Sequence, residues 1–358
     1  MSYSKDQPYN ELPLILPDIS VLDKLTIYKK LAEARAALAE LKGRLLVIPN
    51  PLMLINTLVL QEAKDSSTIE NIFTTNDKLY KAFSSTSAAD PATKEVLRYR
   101  EALWSSFTKL TNGDNFSLQM AIDIFKMITN KDEEIRTVQV FVGSRSRVVY
   151  TPPEPGSVLK EKLDNWFDVA LNDNSIDPLL KLAILHYQFE AIHPFTDGNG
   201  RTGRIFNVLY LCLEKLIDLP VLFLSKYILD YKNEYYSLLK EVTEKNNWEE
   251  WILYMLEAVK STSLYTLKKV NAIYDNYLST IEKVKTEAGE IYSRELIEVI
   301  FSQPYCNISI LQEKNIASRN TASKYLRKLE KIGILKSENV GREILYKNVL
   351  LYAILSGN

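Results

Sequence analysis

The chain has 358 residues, 46% of them hydrophobic and 25% charged, enough to bury a large core shared among two or three domains. Basic side chains number 44 and acidic ones 45, a net charge of −1, which excludes a global electrostatic pull toward nucleic acid or anionic lipid. The two cysteines, Cys212 and Cys306, are far apart in apolar surroundings, which argues against a disulfide framework and fits a reducing compartment.

Residues 1–20 are spotted with proline and read as extended. They lack an apolar signal core, and no stretch is apolar enough to cross a bilayer, so a cytoplasmic protein with no membrane partner is expected. From Val21 to Lys42, apolar residues recur at helical spacing. Asn50-Pro51 predicts a break, followed by a helix over 52–64. A further short helix over Ser66–Phe73 would have Asp65 or Ser66 as its N-cap. Helices near 92–111 and 117–129 come next. The period then changes: Thr137–Val142 alternates and is β-rich, Gly143-Ser144 offers a turn, and Arg147–Tyr150 returns as a second strand.

After a helix over 157–172, residues 179–192 are apolar nearly all round, as a helix at the centre of a core would be. Residues 205–217 repeat that character. Helices over 225–245 and 247–284 follow, and Gly289 marks a boundary. Residues 291–358 read as helix, short helix, helix and then two short strands, Ile334–Ser337 and Ile344–Tyr346. That order is a winged-helix outline. The expected division is 1–90, 91–285 and 290–358.

The turn between the two buried helices concentrates the chemistry. It runs His193-Pro194-Phe195-Thr196-Asp197-Gly198-Asn199-Gly200-Arg201-Thr202-Gly203-Arg204. His193 is one of two histidines and titrates near neutrality when unperturbed. His186, inside the buried helix, reads as a core residue. Gly198, Gly200 and Gly203 let backbone approach a ligand, and the helix that begins near Arg201 offers free N–H groups to an anion. Arg201 and Arg204 place two cations at that helix start, where the dipole opposes them, an arrangement that makes sense if an anion binds there. Asp197 is a ready Mg²⁺ ligand beside a phosphate. Gly198-x-Gly200-x-x-Gly203 also matches a dinucleotide fingerprint, but that motif needs a preceding buried strand, and here a helix precedes it.

These residues resemble the Fic (filamentation-induced-by-cAMP) family, whose pattern H-x-F-x-(D/E)-G-N-G-R-x-x-R is met at every fixed position from His193 to Arg204. The resemblance spans roughly 20–280. It implies a mainly α fold, a Fic-type helical bundle with a short β-hairpin flap, to which the small C-terminal winged-helix domain is added. It implies protein adenylylation, the transfer of AMP from ATP to a Ser, Thr or Tyr hydroxyl. His193 would deprotonate the hydroxyl and Asp197 would bind Mg²⁺. Gly198, Asn199 and Gly200 would form the anion hole, with Asn199 at the α-phosphate. Arg201 would steady the β-phosphate and Arg204 the γ-phosphate, with Gly203 completing the phosphate site.

Upstream, Ser66-x-x-x-Glu70-Asn71 resembles the family's inhibitory (S/T)-x-x-x-E-(G/N) sequence, which implies that Glu70 pairs with Arg204 and denies it to ATP. The hairpin, with Val140, Phe141 and Val142, resembles the flap that aligns the target segment. Tyr235 and Tyr236 lie where relatives place base-contacting residues. Implied partners are ATP and a target protein, this chain itself among the candidates, and a homodimer is compatible. Basic residues Arg319, Lys324, Arg327, Lys328 and Lys331 leave DNA binding through 290–358 open beside protein docking. They also keep open a second class of function, a nucleotide-sensing transcription regulator. The turn grips phosphates rather than a base, so transfer of another nucleotide monophosphate, or removal of AMP, remains compatible with it.

Overall fold

The computed structural model describes residues 3–15, 19–46, 48, 52–85, 89–144 and 147–357. The break expected at Asn50-Pro51 lies outside these residues. Five helices open the chain: α1 (Leu25–Leu46), α2 (Leu52–Ile69), α3 (Asn76–Ser84), α4 (Pro91–Thr111) and α5 (Leu118–Thr129). A hairpin of β1 (Val142–Ser144) and β2 (Arg147–Tyr150) follows. Next come α6 (Ser157–Asn172), α7 (Pro178–Ile192), α8 (Asn199–Leu213), α9 (Leu224–Asp230), α10 (Lys232–Lys245) and the 40-residue α11 (Trp248–Glu287). The C-terminal module contains α12 (Arg294–Phe301), β3 (Tyr305–Cys306), α13 (Ile308–Glu313), α14 (Arg319–Lys331), β4 (Leu335–Val340), β5 (Glu343–Asn348) and α15 (Val349–Ser356). The protein is mainly helical, as the sequence implied.

Local signals set most boundaries. Asp90 and Asp177 cap α4 and α7, each with proline in the first turn, and Thr75 and Ser117 cap α3 and α5. Helix α7 is buried on all sides, and two indoles bond its backbone: Trp166 Nε1 donates to Leu185 O and Trp251 Nε1 to Ala183 O, both at 2.8 Å. Phe116, Trp166, Phe189 and Phe206 interlock edge-to-face beside it, fixing α7 against α8.

Several expectations need correction. Helix α2 runs unbroken to Ile69, so Ser66 lies inside it and caps nothing. The first hairpin strand starts only at Val142. Val140 precedes it, Gly143 and Ser144 belong to the strand rather than the turn, and residues 145–146, which join the strands, lie outside the described residues. The helix expected over 225–245 breaks at Tyr231 into α9 and α10. The motif helix starts at Asn199, ahead of Arg201.

The C-terminal module has the expected helix–turn–helix and hairpin, with β3 adding a third strand in the order β3-β5-β4, all antiparallel. It packs against the rest of the chain. Tyr305 donates to Asp77 at 2.6 Å, Lys81 pairs with Glu338 at 2.8 Å, and Asn307 Nδ2 donates to Ser84 O at 3.1 Å. Deeper in, Lys269 Nζ donates to Gln61 Oε1 at 2.7 Å and to Leu355 O at 3.0 Å, and Gln61 also donates to Leu355 O. Among the described residues, no helix is long and apolar enough to cross a membrane.

Candidate active site

The α7–α8 turn is held from within. Asn199 accepts from the Phe195 N–H at 2.8 Å and donates to its carbonyl at 2.9 Å, closing residues 195–199 into a loop. Phe195 is fully buried and stacks on Phe125 at 4.5 Å. The Asn199 side chain therefore holds the turn, and what it presents at the helix start is its backbone N–H. The first intrahelical bond runs from the Thr202 N–H to Gly198 O, so the N–H groups of Asn199, Gly200 and Arg201 precede it. Gly198 sits at φ +67°, where a side chain is strained, and a Cβ there would press on Thr129 at 3.1 Å, so both features favour glycine.

His193 ends α7 in the left-handed region, φ 51°, with its N–H bonded to Phe189 O. Its Nδ1 donates to the Glu190 carbonyl at 3.2 Å, a partner that can only accept, which leaves Nε2 unprotonated and available. Burial pushes its pKa down to about 4, so the imidazole is neutral at pH 7. His186 is the core residue expected: it is buried, bonded to Tyr235 Oη at 2.9 Å and stacked on Trp251.

The two motif arginines are both buried and both meet carboxylates. Arg204 Nη2 contacts Glu70 Oε1 at 2.7 Å and Ser66 O at 3.0 Å, while Nε donates to Ser66 Oγ at 2.8 Å. Arg201 pairs with Glu95 of α4 and lies 3.5 Å from Asp197. Glu95 was not foreseen, since only the packing of α4 on α8 reveals it. The Glu70 carboxylate rests on the first turn of α8, and a Cβ on Gly200 would come within 2.6 Å of its Oε1. An anionic group therefore already sits at the helix start.

The geometry accounts for each fixed position of the upstream sequence. Ser66 receives the guanidinium. Asn71 adopts φ 62°, and with Ile72 N–H to Ser67 O and Asn71 N–H to Thr68 O, both 3.0 Å, it closes α2 in a Schellman motif just past Glu70. A carboxylate at a helix C-terminus opposes the dipole. Burial likewise pushes the Glu70 pKa up, but the Arg204 charge and hydrogen bond outweigh it and hold the carboxyl below its usual range. Lys232 steadies this end by donating to Ile69 O at 2.5 Å. Glu190 lies beside Arg204, and burial raises its pKa to about 7.

Asp197 is exposed. Its Oδ1 accepts from the Gly198 N–H at 2.6 Å, and its Oδ2 faces Lys131 at 3.6 Å. Mg²⁺ is commonly bound through one carboxylate plus substrate phosphates, and this residue fits that role. Among the described residues, no three or more His, Cys, Asp or Glu side chains group to hold a metal unaided.

The two tyrosines separate. Tyr235 is buried against His186 and Trp251, whereas Tyr236 is 45% exposed, on the side of Glu70 and Arg204. The hairpin leaves Val138 and Phe141 exposed, with Val142 half-buried.

Family models agree with this site. One described as Fic/DOC family matches residues 115–211, and one described as Fic/DOC family N-terminal matches 28–108. A third, the C-terminal domain of SoFic-like protein adenylyltransferase, matches 277–351. The chain thus carries Fic/DOC family domains followed by a SoFic-like C-terminal domain.

It is similar to protein adenylyltransferase fic-1 of Caenorhabditis elegans, 31% identical over 165 residues, 44% of this chain and 29% of that one. It is also similar to protein adenylyltransferase Fic of Drosophila grimshawi, 34% identical over 113 residues, 31% of this chain and 21% of that one. The matched region thus spans less than a third of either relative. Among solved structures, a Fic family protein from Desulfovibrio desulfuricans G20 shares the fold over 94% of this chain and 98% of its own, with a TM-score of 0.58 and 20% identity. C. elegans Fic-1 aligns over 70% of this chain and 73% of that one, with a TM-score of 0.51 and 20% identity.

Proposed function

We propose that this chain is a protein adenylyltransferase restrained by Glu70. The observation that carries the reading is the carboxylate of Glu70 lying at the N-terminus of α8 on Arg204, where an anionic phosphate would otherwise be received. The chemistry requires a base, an anion cradle and cations, and the turn brings them together. Nε2 of His193 takes the proton of a Ser, Thr or Tyr hydroxyl. The oxygen attacks the α-phosphorus of ATP, the bond to the β-phosphate bridging oxygen breaks, and pyrophosphate leaves with AMP on the protein. The N–H groups of Asn199, Gly200 and Arg201 receive phosphate oxygens, and Arg201 and Arg204 offset the leaving charge. Asp197 is the residue that would hold Mg²⁺, which when bound supplies neutralisation of phosphate charge.

Intact-protein mass after incubation with ATP and Mg²⁺ tests the reading. Glu70→Gly is expected to gain one AMP, on itself or on an added substrate protein, about 10- to 100-fold faster than the unsubstituted chain. Adding His193→Ala to that variant should cost about 10²- to 10⁴-fold. No labelling by Glu70→Gly with any nucleoside triphosphate would overturn it, and labelling with a base other than adenine would redirect it.

A second reading concerns the C-terminal module alone. Arg319, Asn320, Lys324 and Arg327 of α14 are exposed, and the three cations form no ion pair among the described residues. Such a face suits duplex phosphates and base edges. Salt-sensitive retardation of a DNA duplex by the full chain supports this reading, and no retardation at low salt rejects it.

A further inference from the structure

We propose that Arg136 is a positioning residue that registers the target-binding hairpin with the His193 imidazole. The inference rests on the adenylyltransferase reading, and nothing in the sequence motif marks this residue.

Arg136 lies in the loop between α5 and β1 and is 2% exposed. Its hydrogen-bond partners are all main-chain carbonyls. Nε donates to His193 O at 2.8 Å, Nη2 to Ile192 O at 3.4 Å and to Pro153 O, and Nη1 to Val138 O at 3.4 Å. Its own N–H donates to Pro194 O at 2.9 Å. Ile192, His193 and Pro194 form the end of α7 and the entry to the turn. Val138 leads into the first strand of the hairpin, and Pro153 follows the second. One planar guanidinium therefore spans both feet of the hairpin and the backbone of the catalytic residue.

Two physical features give this placement its meaning. The carbonyls at the end of α7 are the negative pole of that helix, and a buried cation is favourable there. His193 also holds a left-handed backbone conformation, uncommon outside glycine although histidine, asparagine and aspartate adopt it more readily than other residues, and its neighbours fix it there. The Phe189 carbonyl fixes its N–H, and Arg136 fixes its carbonyl. Tyr150 Oη, at the end of β2, adds a parallel tether to Ala191 O at 2.9 Å. A target strand seated on the hairpin is thereby held in fixed register with Nε2.

The charged groups facing His193 are Arg136 from this loop, Glu70 from α2 and Asp197 from the turn. The cation among them disfavours the protonated imidazole.

The experiment compares Arg136→Gln and Arg136→Lys, each in the full-length Glu70→Gly chain. Three quantities are measured: AMP transfer, ATP affinity by calorimetry, and titration of the two histidines by NMR. Arg136→Gln should lower kcat for transfer by about 30-fold or more with ATP affinity held within about threefold, and raise the His193 pKa by roughly half a unit to one unit. Arg136→Lys keeps the charge but not the fork. It should leave the His193 titration in place and still slow transfer about tenfold.

Transfer at the parent rate by a folded Arg136→Gln chain would overturn the proposal. So would parallel loss of ATP affinity, which would make Arg136 a general scaffold residue. If the Glu70→Gly parent transfers nothing, the adenylyltransferase reading fails. The histidine titration then decides whether Arg136 still governs His193: a shift in Arg136→Gln alone supports the placement, and none removes it.

Discussion

The catalytic turn and the end of α2 meet at Arg204, and they are held in different ways. The turn is closed on itself: Asn199 ties both backbone groups of Phe195, Phe195 is stacked in the core, and Arg136 and Glu95 brace it from outside. The end of α2 is held by one carboxylate on one guanidinium, a serine under the same guanidinium, and a lysine on the last carbonyl. Glu70 remains one-third exposed while Arg204 is almost wholly buried. On the proposed reading, one part is permanent architecture and the other is a plug that can be withdrawn.

Three measurements would break or sharpen the contrast. The largest effect is expected for Asn199→Ala. Leaving the Phe195 N–H and C=O unsatisfied in a buried turn should cost about 2–4 kcal/mol in urea unfolding and remove transfer altogether. A cost below about 0.5 kcal/mol would mean the turn is held elsewhere. Next comes Asn71→Ala, which loads the left-handed position at the end of α2 with a residue that resists it. The penalty of about 1 kcal/mol should loosen the plug and raise basal AMP transfer about fivefold, with global stability lowered by no more than that amount.

The smallest effect concerns pH. The Glu70 pKa is depressed, so its contribution is fully present above the ordinary glutamate value of about 4.3 and is lost only as pH falls through the lower, folded-state value. The ratio of transfer by the unsubstituted chain to that by Glu70→Gly should therefore be flat from pH 5.5 to 8.5. A bend near pH 7 would instead point to Glu190 or Glu62, both raised to about 7 by burial and both close to Arg204, as a group coupled to the plug.

Much of this site was legible in the sequence because its information is local. Twelve contiguous residues specify the turn, and apolar periodicity marked the helices on both sides. The position of Glu70 on Arg204 agrees with what the upstream resemblance implied. Long-range partners left no local trace. Arg136 sits in a polar run, Lys131-Asp132-Glu133-Glu134-Ile135-Arg136, that reads as loop, and Glu95 looks like any solvated helical acid. Helix α3 and strand β3 are short, and they meet through the Tyr305–Asp77 hydrogen bond, a long-range contact with no local signal. The tyrosine pair was decidable from spacing: Tyr235, Leu238 and Val242 share a helical face and are all buried, whereas Tyr236 falls about 100° away.

Helix α2 has one more consequence. Gln61 is clasped by Lys269 and the Leu355 carbonyl of the last helix, while nine residues further on Glu70 rests on Arg204. At 1.5 Å per residue the two points are about 13 Å apart on a single unbroken rod. If Glu70 restrains transfer as proposed, a tilt of α2 imposed through α15 would reach Arg204 as a displacement of that carboxylate.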